Sequence, residues 1–126
     1  MVIVLIKWMI KPEEDAIKAF LHHWKKEALV QDRRGLVGEF LSEVDAEKYT
    51  TWDVRGGSSR REGKMFVNVG TWADRDEFEE QIGKYFNDDR PIKCFELERR
   101  VRTVLKPVCW RVGEAPLPAD DSEGVE

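Results

Sequence analysis

The side chains best placed for chemistry are Asn68, Gly70 and Trp72. They fall at alternate positions of an apolar stretch, and a strand turns alternate side chains to one face. An amide, a gap and an indole N–H would therefore lie in a row. Gly70 between two larger residues leaves space at the sheet surface. Such a trio could floor a pocket whose donors stabilise negative charge growing on a bound molecule. Phe66 continues the same face, and Trp24 and His23 are further candidates for substrate contact. The trio has a plain packing use as well: Trp72 as a core anchor and Asn68 as a partner for backbone groups. The residues alone leave both readings open.

The other reactive side chains form no constellation. His22 and His23 are the 2 histidines of the chain. Adjacent on a helix, they do not share a face and are no metal pair. Both fall off the apolar stripe of that helix and are expected to be solvated or peripheral, with His23 kept as a candidate ligand or acid–base group. Cys94 has no His near it in sequence and reads as a small buried hydrophobe rather than a nucleophile. Gly56-Gly57-Ser58-Ser59 has no following Lys, so it is a turn and not a phosphate loop. No zinc spacing occurs, and no metal is expected.

The elements that must position these residues follow from periodicity. Val2 to Ile10 is a strand that is apolar on both faces, the pattern of a strand covered on both sides. A helix opens at Pro12, with Glu13, Glu14 and Asp15 at the positive end of its dipole. Its stripe is Ile17, Phe20, Leu21, Trp24 and Ala28, and it should end near Val30. A second strand spans Leu36 to Val44, with Leu36, Gly38, Phe40 and Ser42 on one face and Val37, Glu39, Leu41 and Glu43 on the other. The mixture of apolar and acidic groups on that second face places it near an edge. Residues 45–63 form a long connection of the kind that often carries function, with a short extended piece around Tyr49 to Val54. Lys64 to Trp72 is the third strand. Asp74 then caps a second helix, with Glu77 at the third helical position as in a capping box, and Phe78, Ile82 and Tyr85 or Phe86 line its stripe. The fourth strand runs from Glu98 to Leu105.

The order β-α-β-β-α-β is a split βαβ repeat. The fold class is therefore α+β, a ferredoxin-like four-stranded antiparallel sheet with both helices on one face. Because the first strand is apolar on both faces, something must cover the helix-free side. In a chain of 126 residues that cover is expected to be a second copy of the same sheet, which makes the protein a homodimer.

Composition narrows the setting. Five Trp, six Phe and two Tyr need burial, which excludes disorder of the whole chain. The longest apolar run, Val2 to Ile6, is far short of the roughly 20 residues of a membrane span, and it lacks the flanks of a signal peptide. With 2 cysteines and no CxxC, the chain reads as a soluble cytoplasmic protein with reduced thiols. There are 21 basic and 25 acidic residues. Five of the acids (Glu114, Asp120, Asp121, Glu123, Glu126) lie in 112–126, which holds no Lys or Arg, so 1–111 carries 21 bases against 20 acids. Residues 1–111 are read as one domain and 112–126 as an acidic, disordered tail.

Phe66-Val67-Asn68-Val69-Gly70-Thr71-Trp72 followed by Asp74-Arg75-Asp76-Glu77-Phe78, in this element order, resembles the antibiotic-biosynthesis-monooxygenase-like family of dimeric α/β barrels. The topological resemblance covers about residues 1–108. It implies a small-molecule oxygenase that works without a cofactor on an aromatic substrate. The deprotonated substrate would give an electron to O₂ directly. Asn68 and Trp72 match the family's Asn and Trp on this strand, and Arg90 is the counterpart of an Arg later in the chain; all three would serve catalysis. The haem-degrading branch fits less well: it uses a His on the helix after the Trp, and no His follows Trp72. The alternative is a non-catalytic ligand-binding or structural homodimer, its ligand small and hydrophobic or aromatic. A minor alternative is an RNA-binding module, since that fold shares the element order and Arg55, Arg60, Arg61, Lys64, Arg99, Arg100 and Arg102 supply charge. Lys64 and Val69 stand where its third-strand motif needs aromatics, and a pI near 5.3 argues against nucleic acid.

Overall fold

The computed structural model describes residues 1–28, 30, 32–44, 63–83 and 91–121. In chain order the elements are β1 (Val2–Ile10), α1 (Glu14–His22) with a π-helical turn at His23–Glu27, β2 (Leu36–Glu43), β3 (Lys64–Trp72), α2 (Arg75–Gln81) and β4 (Glu96–Leu105). The fold is α+β. Its sheet has four strands in the order β2-β3-β1-β4, with antiparallel pairing throughout. No helix among the described residues is long and apolar enough to cross a membrane.

The even-numbered residues of β1 face the helices and seed two clusters. Val2 and Val4 pack with Val30, Trp72 and Phe78, which seats α2. Trp8 and Ile10 pack with Phe20, Phe66 and Phe95, which seats α1. Ile6 touches both clusters. Burial of these side chains supplies roughly 1.5–3 kcal/mol each, so both helices are held to the same face. The Asp74 carboxylate caps α2 by accepting from the backbone N–H of Asp76 at 2.8 Å and of Glu77 at 3.4 Å. That is the side-chain half of the expected capping box.

On the opposite face the odd-numbered residues of β1 meet the same face of β3. Met9 and Met65 pair directly and are buried, while Ile3, Leu5, Val67 and Val69 are half-buried. Phe40 on β2 and Val101 and Leu105 on β4 stay 44%, 50% and 40% exposed. This face is mostly apolar, with Lys7 on β1, Thr71 on β3 and Thr103 on β4 among its residues.

Three local expectations give way. The α-helix ends at His22 rather than near Val30, and one wide turn follows, closed by the Ala28 N–H donating to His23 O at 2.8 Å. An i→i+5 bond holds more residues per turn, so side chains beyond it rotate away from their α-helical directions. His23, the first residue of that turn, is half-buried at the periphery, against the rings of Trp8 and Phe95 at centroid distances of 6.2 and 5.4 Å. On β2, the register steps from Leu36 opposite Trp72 to Gly38 opposite Thr71. The extra residue, Val37, breaks the period of two. Leu36 therefore shares the helix-side face with Glu39 and Leu41, not with Gly38 and Phe40. Cys94, expected to be buried, is exposed in the turn before β4.

Residues 106–121 leave β4 without regular structure and are exposed apart from Pro107. They reach β2, at the far edge of the sheet, where Arg33 Nη1 donates to Asp120 Oδ2 at 3.0 Å.

Candidate functional site

The strand period brings Asn68, Gly70 and Trp72 to the helix-side face of β3, as their spacing implies. Their surroundings come from β2. Asn68 is 3% exposed, and its Nδ2 donates to Glu39 Oε1 at 2.6 Å. Asn68 Oδ1 is buried without a hydrogen-bond partner among the described residues. A buried acceptor left alone costs about 1–3 kcal/mol, which makes it a place where a donor on a bound molecule would be taken up. A Cβ at Gly70 would lie 3.7 Å from Trp72 Nε1 and 4.0 Å from Glu39 Cγ. The gap over Gly70 is thus flanked by an indole N–H and the Glu39 side chain.

Glu39 is the group that sequence reasoning passed over. Its signal was an acid between Val37 and Leu41 on a strand, but which face it took depended on the bulge. Burial pushes its carboxyl above the ordinary carboxylate range, while the Asn68 hydrogen bond and the Arg33 charge pull it partly back. A carboxylate held this way is a better proton acceptor than one in water.

Glu39 also lines a cleft of about 610 Å³, within the range of roughly 300–1,000 Å³ typical of small-molecule sites. Leu21, Trp24 and Lys25 form one wall, Leu36 to Ser42 of β2 another, and Leu117 to Asp121 a third, with Arg33 between. Trp24 therefore sits where a substrate contact was expected. Asn68, Gly70 and Trp72 do not line this cleft and communicate with it through Glu39. Trp72 is 2% exposed and packs on Phe78 at a centroid distance of 6.2 Å, so it serves the core whatever else its N–H does.

The remaining candidates lie elsewhere. Phe66 packs on Phe20 at 5.0 Å in the α1 cluster. His23 Nδ1 pairs with Glu27 Oε2 at 3.0 Å, which holds the Glu27 carboxyl below its ordinary value. Arg90 lies outside the described residues, as do Tyr85, Phe86, the 49–54 segment, Gly56 to Ser59 and the basic groups Arg55, Arg60 and Arg61.

A second polar cluster lies between β1 and β4. The register of β4 slips against β1 between Lys7 and Met9, and Arg100 turns inward. Its Nη1 donates to Glu96 Oε1 at 3.2 Å, and its guanidinium carbon stands 5.0 Å from the Trp8 ring centroid. Glu96 also accepts from the backbone N–H of Lys93 at 3.0 Å and of Arg100 at 3.2 Å. Arg100 thus belongs to the interior and not to a cationic surface, which removes it from the RNA-binding reading. Among the described residues no cluster of three His, Cys, Asp or Glu side chains could hold a metal ion.

No protein-family model matches the chain, and no curated protein matches it.

Proposed function

We propose that the protein is a ferredoxin-like domain that pairs through its helix-free face into a dimeric α/β barrel and oxidises a small aromatic molecule with O₂, without a cofactor. The observation that carries the chemical part is the Asn68–Glu39 hydrogen bond beside the Gly70 gap. A substrate of this kind must lose a proton before it can give an electron to O₂. Glu39, with its raised pKa, is the acceptor for that proton, and Asn68 orients its carboxylate. The indole N–H of Trp72 offers a donor to the anion that remains.

For a reduced polycyclic aromatic such as anthrone the balance is simple. Glu39 takes a proton from the ring CH₂. The carbanion passes one electron to O₂, the radical pair joins to a C–O bond, and the peroxide takes up a proton. The O–O bond then breaks with loss of the remaining ring hydrogen, leaving a carbonyl and water. One O₂ is consumed for each anthraquinone formed.

The second reading is a binding protein without turnover. The full burial of Trp72 in the core favours it, because a packing role alone accounts for that residue. The discriminating experiment is oxygen uptake by purified, metal-free and flavin-free protein given anthrone. Uptake above the spontaneous rate that falls about 10²-fold or more in Glu39→Gln, as loss of a general base implies, supports the oxygenase. Saturable binding with no uptake leaves the binding protein.

A further inference from the structure

We infer that the tail is an arm of the dimer: residues 106–116 arch off their own sheet and seat Trp110, with Val108 and Val112 beside it, on a second copy of this chain. The two feet of the arch define where it stands. Leu105, Ile3, Thr71 and Gly38 lie opposite one another across β4, β1, β3 and β2, as one row of the helix-free face. The chain leaves that row at Leu105 and returns to it at Leu117. A Cβ at Gly38, on the face shared with Phe40, would lie 3.9 Å from Leu117 Cδ1. Asp120, held by Arg33 at 3.0 Å, fixes the far foot. Three strand spacings put the feet roughly 14 Å apart, whereas residues 106–116 fully extended would reach about 36 Å. The stretch between is therefore slack and stands away from its own sheet. Val108 is 92% exposed, Trp110 66% and Val112 84%.

A second copy is the occupant that suits both surfaces. Val108, Trp110 and Val112 left in water forfeit the burial that stabilises such side chains elsewhere in the fold. The helix-free face has the same deficit at Phe40, Val101 and Leu105. Arch and face belong to one chain and meet along one row. A two-fold axis that lays face on face brings each arch alongside the other protomer and covers both surfaces at once. Area points the same way. The face is four strands wide and its central strands are 9 residues long, roughly 600 Å² in projection. That is the lower side of the about 800 Å² each partner gives to a stable interface. A buried Trp adds about 150–250 Å², and Trp is prominent among the residues that anchor interfaces. This rests on the face-to-face pairing proposed above, and not on the oxygen chemistry.

The test is sedimentation of the full chain from nanomolar to micromolar concentration. The parent is expected to dimerise. Trp110→Ala should raise the dimer dissociation constant at least about 30-fold, the effect of removing an anchor residue, with circular dichroism unchanged. Urea unfolding in a Val101→Lys background, where face pairing is broken, separates this from a packing role. There Trp110→Ala should leave the midpoint where it was, because the indole has no seat on its own protomer. A dimeric parent whose dissociation constant is the same in Trp110→Ala overturns the inference and keeps the face-to-face pairing. A lowered urea midpoint in the Val101→Lys background also overturns it, since Trp110 then packs within its own chain. A monomeric parent, or a Val101→Lys chain that still dimerises, removes the face-to-face pairing and the inference with it.

Discussion

Asn68 on β3 and Glu39 on β2 are 29 residues apart in sequence, yet they share a 2.6 Å hydrogen bond on the helix side of the sheet. The bond exists because the bulge at Val37 turns Glu39 inward at the height of Gly70, whose missing side chain leaves it room. Asn68 partly offsets the burial of a carboxyl that would otherwise be drawn into the fold alone.

The sign of the pH effect follows from that burial. Folded Glu39 titrates above its unfolded counterpart, whose ordinary value is 4.5. Below the unfolded value both forms are protonated and nothing is lost. As pH rises through the window up to the folded pKa, the unfolded chain releases its proton first and stability falls; above it the loss is constant. Glu39→Gln should therefore leave the urea midpoint unchanged at about pH 4, below the unfolded value, and raise it increasingly over the parent as pH climbs above that value. A variant less stable than the parent at the higher pH would mean that the ionised carboxylate stabilises the fold.

The Gly70 gap is tested by filling it. Gly70→Leu should weaken anthrone binding by more than about tenfold, because the new side chain takes the space between Trp72 Nε1 and the Glu39 side chain; overpacking on the order of 1–3 kcal/mol is the expected toll on stability. Calorimetry and a urea titration separate the two. Binding that survives intact places the ligand elsewhere.

Glu96 and Arg100 make a sharper stability test. Glu96 is 2% exposed and Arg100 8%, and removing one partner of a buried pair costs about 3–5 kcal/mol. Glu96→Leu alone should show that loss in urea unfolding, and Glu96→Leu with Arg100→Met should recover most of it. If the single variant matches the parent, the pair is not desolvated in solution.

Dimerisation is read from mass. The apolar helix-free face predicts a sedimentation mass near twice the chain's 14.7 kDa. Val101, half exposed on that face, can become Lys without disturbing the core, so Val101→Lys should sediment as a folded monomer. A parent protein that is already monomeric at micromolar concentration removes the barrel assembly.

What the sequence determined alone is what depends on neighbours along the chain. Val2–Ile10 and Lys64–Trp72 are strands with the bounds that alternation implies, the Asp74 cap is where its side chain can reach its own helix, and Asn68, Gly70 and Trp72 share a face because backbone geometry gives a strand no other period. Tertiary structure decided whatever requires a partner. A single inserted residue at Val37 shows no local signature, because a bulge is defined by the strand opposite, and it alone carries Leu36 and Glu39 to the same side. The seat of His23 against the Trp8 and Phe95 rings likewise needed β1 and the turn before β4 in place. The burial of Arg100 needed Glu96 and Trp8 in place before a charge could be taken out of water. Periodicity is a property of one segment; register, and with it the pairing of Asn68 with Glu39, belongs to two segments at once.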